Sequence, residues 1–199
     1  MVASPWPPPP PPPPPPAVAS PVTQAFADAL RSCGARGALT GARALHGRLV
    51  AVGLASAVFL QNTLLHAYLS CGALSDARRL LLTDIAHPNV ITHNVMLNGY
   101  AKLGRLSDAV ELFGRMPARD VASWNTLMSG YFQSRQYLAS LESFVSMHRS
   151  GDSSPNAFTF AYAMKSCGAL GQHSLALQLP GMVQKFGSQV LDSGPTNHN

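Results

Sequence analysis

Apolar side chains recur at helical spacing along most of the chain. Met96, Leu97 and Tyr100 share one face of a predicted helix, and Gly104 then breaks the run. A second apolar face follows, made of Leu106, Ala109, Leu112, Phe113 and Met116, and Pro117 discourages its continuation. Ser107 and Asp108 stand where an N-cap and a first-turn acid favour the start of that second helix. Two amphipathic helices joined at a glycine predict a helical hairpin.

The hairpin recurs. With Asn94 as anchor, the equivalent positions are Asn62, 32 residues earlier, and Asn125, 31 residues later, with Ala27 and Ala161 completing the series. Ten residues past each anchor stands a turn residue: Gly37, Gly72, Gly104, Arg135 and Gly171. Glycine there suits the left-handed conformation that ends a helix, so Arg135 weakens its unit. Fifteen residues past each anchor stands a small residue, Ala42, Ala77, Ala109, Ser140 or Ala176, which lets two helices approach closely. The pattern predicts an all-α fold, an α-solenoid of about five helical-hairpin repeats, because each hairpin must bury its apolar face on its neighbour. Trp124, Leu127, Tyr131, Leu141 and Phe144 are expected to be largely buried between units.

The repeats occupy residues 23–186. Residues 1–22 are rich in proline, with ten prolines in a row over residues 7–16, and are expected to stay disordered. Their first acid is Asp28, beyond the segment, which fits a targeting peptide, although arginine is missing before Arg31. Residues 187–199 lose the helical period and read as an irregular tail. The longest apolar run, residues 49–60, has 12 residues, too few to span a bilayer. The formal net charge of +5 favours polyanionic partners. Three scattered cysteines form neither a disulfide framework nor a zinc site.

"VITHNVMLNGYAKLGRLSDAVELFGRMPARD" and "VASWNTLMSGYFQSRQYLASLESFVSMHRSGDSSPN" resemble pentatricopeptide repeats of plant organelles. Successive units of 35, 32, 31 and 36 residues resemble the subclass with mixed long and short repeats, and "ALRSCGARGAL" and "AMKSCGALGQH" look like its long type. The tetratricopeptide repeat is the alternative. Trp124, Leu127 and Tyr131 match its spacing, but Met128 stands where that family has glycine and the unit length varies.

The resemblance implies that each repeat reads one base of single-stranded RNA. It places the fifth residue of a repeat and the last residue of that repeat together at the base edge. The implied base-reading pairs are Asn62 with Asn89, Asn94 with Asp120, and Asn125 with Asn156. In the family, Asn with Asp favours U, and Asn with Asn favours a pyrimidine, so the implied read is pyrimidine-U-pyrimidine. Phe59, Ile91 and Ala122, second in their repeats, would stack on the bases, and Lys102 would meet a phosphate. From the residues alone, a helix Asn bonded to the next repeat's backbone is the competing reading. Ala27 and Ala161 offer no hydrogen bond and are expected to space rather than read.

The chain has no H-x-E and no C-x-x-C, so the zinc deaminase chemistry carried by relatives of that subclass has no ligands here. No cofactor is expected. The resemblance implies an organellar RNA-recognition adaptor for processing or C-to-U editing carried out by other proteins, in the mitochondrion or alternatively the chloroplast. The other readings are a peptide-binding scaffold and a non-functional truncated product.

Overall fold

The computed structural model describes residues 20–151 and 153–171. They form helices α1 (Pro21–Arg36), α2 (Leu39–Ala51), α3 (Val58–Ser70), α4 (Leu74–Arg79), α5 (Val90–Lys102), α6 (Leu106–Arg115), α7 (Val121–Gln133), α8 (Tyr137–Ser150) and α9 (Ala157–Ala169). Helix α4 runs on into a π-helical turn, Leu80–Asp84. No strand occurs among the described residues. The odd-numbered helices pack side by side in one layer, α1 on α3, α3 on α5, α5 on α7 and α7 on α9. Each even-numbered helix packs on its own partner, and α2, α6 and α8 also touch the next unit. This is the α-solenoid that the periodicity predicts.

The turns explain the repeat. Gly37, Gly72, Gly104 and Gly171 lie at φ between 66° and 71°, and Arg135 takes the same left-handed conformation at φ 59°. In each of the four turns that join two described helices, the residue after the turn donates its N–H to a carbonyl five positions back, as Arg105 does to Tyr100 at 2.9 Å. The small residues are where close approach is needed: Ala42, Ala77, Ala109 and Ser140 are buried. The Ser140 hydroxyl is satisfied by donating to the Met128 carbonyl at 3.3 Å. Ala176 lies outside the described residues.

Two ion pairs repeat with the fold. Arg43 of α2 reaches Asp76 of α4 at 2.8 Å, and Arg78 of α4 reaches Asp108 of α6 at 2.6 Å. Both link one unit's second helix to the next. The arginines are half-exposed, so each pair adds little stability and mainly fixes register.

Three expectations are corrected. Ser107 is not a cap: α6 starts at Leu106 after Arg105, because the tight turn at Gly104 leaves only Leu103, Gly104 and Arg105 between α5 and the Leu106 start. Asp108 sits in the first turn, held by Arg78 and by Arg105 at 2.8 Å. Helix α1 begins inside the proline-rich segment, at Pro21, since proline is compatible with a first turn and the Ser20 hydroxyl accepts from Thr23 N–H at 3.2 Å. Trp124, Leu127 and Phe144 are buried, whereas Tyr131 and Leu141 are only half-buried. The rest of residues 1–22 and all of 172–199, including the tail, lie outside the described residues.

Candidate nucleic-acid interface

The last residue of one repeat is the N-cap of the next repeat's first helix. Asn89, Asp120 and Asn156 hold the starts of α5, α7 and α9. Each closes a capping box with a hydroxyl three residues on, Thr92, Ser123 or Thr159. Asn89 Oδ1 accepts from Thr92 N–H at 2.9 Å, and Asp120 Oδ1 accepts from Ser123 N–H at 2.8 Å. Asn156 Oδ1 accepts from both Phe158 and Thr159 N–H, at 3.0 and 3.1 Å.

The anchors of the preceding units come to these caps. Asn94 Nδ2 donates to Asp120 Oδ1 at 2.9 Å, and Asn125 Nδ2 donates to Asn156 Oδ1 at 3.2 Å. Neither anchor side chain bonds to the neighbouring backbone, so the backbone reading of these asparagines is set aside. The capping hydroxyls close each cluster: Ser123 Oγ donates to Asn94 Oδ1 at 2.6 Å, and Thr159 Oγ1 donates to Asn125 Oδ1 at 2.7 Å. Asn62 and Asn89 differ. Thr92 Oγ1 bonds Asn89 Oδ1 at 3.0 Å, as the other two hydroxyls bond their caps, but it does not reach the anchor, and the buried Asn62 Oδ1 has no hydrogen-bond partner.

Chemistry at the exposed edge follows from what the caps have left. The Asp120 carboxylate offers acceptors only, while Asn89 and Asn156 use Oδ1 for capping and leave their amide N–H groups as donors. Burial acts to raise the Asp120 pKa. The hydrogen bonds from Asn94 and from Ser123 and Ala122 outweigh it and hold the carboxyl below its ordinary value.

Exposed side chains flank these clusters. Phe59, Ile91 and Ala122 lie on the open side of α3, α5 and α7, one turn before their anchors. A cleft of about 530 Å³ gathers Phe59, Asn62, Asn89 and Ile91, together with Arg31 from α1. A second, of about 430 Å³, gathers Ala122, Asn125, Lys102 and Phe158. Lys102 thus stands at the cleft of Asn125 rather than beside its own repeat's anchor.

The sequence reading missed five side chains. Phe158, 69% exposed, faces the small Ala122 side of the second cleft. Its signal was the same offset, three before the anchor position Ala161. Arg31 places its guanidinium 5.7 Å from the centre of the Phe59 ring. Thr92, Ser123 and Thr159 were visible as a hydroxyl three residues after each cap.

Residues 86–117 and 122–152 each match the pentatricopeptide repeat family model. One pentatricopeptide repeat-containing protein of Arabidopsis thaliana is 37% identical over 52% of this chain and 15% of its own length. A second from that plant is 26% identical over 88% of this chain and 25% of its own length. A third, a mitochondrial one, is 32% identical over 82% of this chain and 22% of its own length. This chain therefore spans no more than a quarter of these three relatives. Among solved structures, that of the pentatricopeptide repeat protein PPR10 from maize superposes with a TM-score of 0.66, covering 81% of this chain and 24% of that one at 20% identity, a likeness of fold. Residues 86–117 and 122–152 are pentatricopeptide repeats, and the chain is related to the pentatricopeptide repeat proteins of plants.

Proposed function

We propose that this chain binds single-stranded RNA along the open side of α3, α5, α7 and α9, one base per unit. The observation that carries the reading is the recurrence of one cluster: an anchor Asn, the next helix's cap, and an exposed side chain one turn before the anchor. Bases enter between successive exposed side chains, Phe59 and Ile91, Ile91 and Ala122, then Ala122 and Phe158. The caps set the edge. Asp120 accepts from uracil N3–H, and the amide N–H groups of Asn89 and Asn156 donate to the ring N3 of cytosine, which gives a pyrimidine-U-pyrimidine core. Lys102 and Arg31 supply charge for the phosphates. In the cell the chain serves as a recognition element for processing or C-to-U editing by other proteins in an organelle. Mitochondrial and chloroplastic proteins both occur among its relatives, and the mitochondrion is our assignment.

The test is a titration of the purified chain against oligonucleotides varied at each base, at two salt concentrations. Stacked and read bases are worth on the order of 1–3 kcal/mol each. Asp120→Asn keeps a good cap and should move the middle preference from U towards C. Lys102→Ala should weaken all RNAs alike. Equal affinity for purine and pyrimidine cores would reject the reading.

A further inference from the structure

Three anchors carry the same amide, but only two have it held. An amide offers a donor on one side and an acceptor on the other, and a half-turn about its terminal bond exchanges them. Asn94 is fixed on both sides: its Nδ2 donates to Asp120 at 2.9 Å, and its Oδ1 accepts from Ser123 at 2.6 Å. A turned amide would set Oδ1 against a carboxylate and leave the Ser123 proton with Asp120 alone, at 2.9 Å. Asn125 is fixed likewise by Asn156 at 3.2 Å and Thr159 at 2.7 Å. The Ser123 hydroxyl also accepts from Asp120 N–H at 3.2 Å, and its proton is shared between Asn94 Oδ1 at 2.6 Å and Asp120 Oδ1 at 2.9 Å, the anchor being the nearer. The same geometry holds at Thr159, which accepts from Asn156 N–H at 3.1 Å.

Asn62 has neither restraint. Thr92 has the same place in its capping box and bonds its cap Asn89 at 3.0 Å, as Ser123 and Thr159 bond theirs at 2.9 and 3.1 Å, but it makes no hydrogen bond to Asn62. The Asn62 oxygen is buried and without a partner. A buried acceptor left unmade is unfavourable, and no hydrogen bond of Asn62 is lost when its amide turns.

We infer that Ser123 and Thr159 are positioning residues that lock the reading amides of Asn94 and Asn125 in one orientation, whereas Asn62 turns between two and makes the first slot the least selective of the three. The inference rests on base reading by these pairs. It predicts a graded register: strict second and third bases, and a first slot that takes cytosine and uracil with similar affinity.

Two measurements on the full chain test it. The first needs no RNA. Nitrogen-15 relaxation of the side-chain amides should show Asn94 and Asn125 ordered and Asn62 mobile, and Ser123→Ala should release Asn94 alone. Equal order at Asn62 and Asn94 in the unaltered chain overturns the inference, whatever the RNA does. The second is titration of Ser123→Ala against the same oligonucleotides. The preference for U over C at the middle base should fall by about five- to tenfold, with the third base unaffected and Ser123→Thr restoring the ratio. A uniform loss across all bases would make Ser123 a stability residue only and reject the positioning role. If the unaltered chain binds RNA without base preference, base reading fails, and the relaxation result alone decides whether the lock exists.

Discussion

At the scale of single residues, Arg135 is the informative exception. It is the one non-glycine residue with positive φ among those described, at 59°. The sequence marks the position through its glycine equivalents, yet it cannot show that an arginine will still take the left-handed conformation. Tertiary context decides: Gln136 N–H bonds Tyr131 O at 2.9 Å, and Arg135 N–H bonds Phe132 O at 3.0 Å. A non-glycine residue there costs about 1–2 kcal/mol. Arg135→Gly should therefore raise stability by about 1 kcal/mol, read as a higher urea midpoint at unchanged slope. Asp120 carries the pH dependence. Its pKa is depressed in the folded state, so its contribution is complete above the unfolded carboxylate pKa and is lost as pH falls through the lower, folded value. Unfolding titrations of the chain and of Asp120→Asn should differ in slope only across that acidic window, the variant being the flatter, and keep a constant offset above it.

At the scale of helices, the hairpins were legible because their punctuation is chemical. Glycine and small residues at fixed offsets announce turns and close contacts. The starts of α5, α7 and α9 were less so. Asn89, Asp120 and Asn156 attract attention as base-edge residues, and their capping role emerges only with the helices in place, although the hydroxyl three residues on is the signal in each case. The absent bond at Asn62 had no sequence signal, since Thr92 repeats the pattern of Ser123 and Thr159. Packing between α3 and α5 depends on Gly99. A Cβ there would lie 2.5–2.8 Å from the Leu69 side chain, and Leu69 is itself buried. Gly99→Ala should lower stability by about 1–3 kcal/mol from overpacking, partly offset by alanine's better helix propensity. A rise in thermal midpoint would show that Leu69 moves aside freely.

At the scale of the molecule, the core of the described residues falls into two clusters. A long cluster runs from Ala27 to Met147, and a smaller one gathers Met128, Phe144, Phe160, Ala163 and Cys167 around α8 and α9. Phe144 and Phe160 meet there with ring centres 5.5 Å apart. Stability in a solenoid is a sum of units and their interfaces, so α9 should open before α3, α5 and α7. Hydrogen exchange should show weaker protection over Ala157–Ala169 than over Val90–Lys102, and Phe160→Ala should abolish the former while sparing the latter. Equal protection along the chain would mean a single cooperative unit. The same solenoid logic bears on the caps. In the proposed reading one side chain both starts a helix and faces the base, so the alphabet open to it is the short alphabet of good helix caps. Asn, Asp, Ser and Thr qualify, and other residues there give up roughly 0.5–2 kcal/mol per unit. Retargeting such a protein is thus confined to a few letters per repeat, and each further letter is written at the expense of the scaffold that carries it.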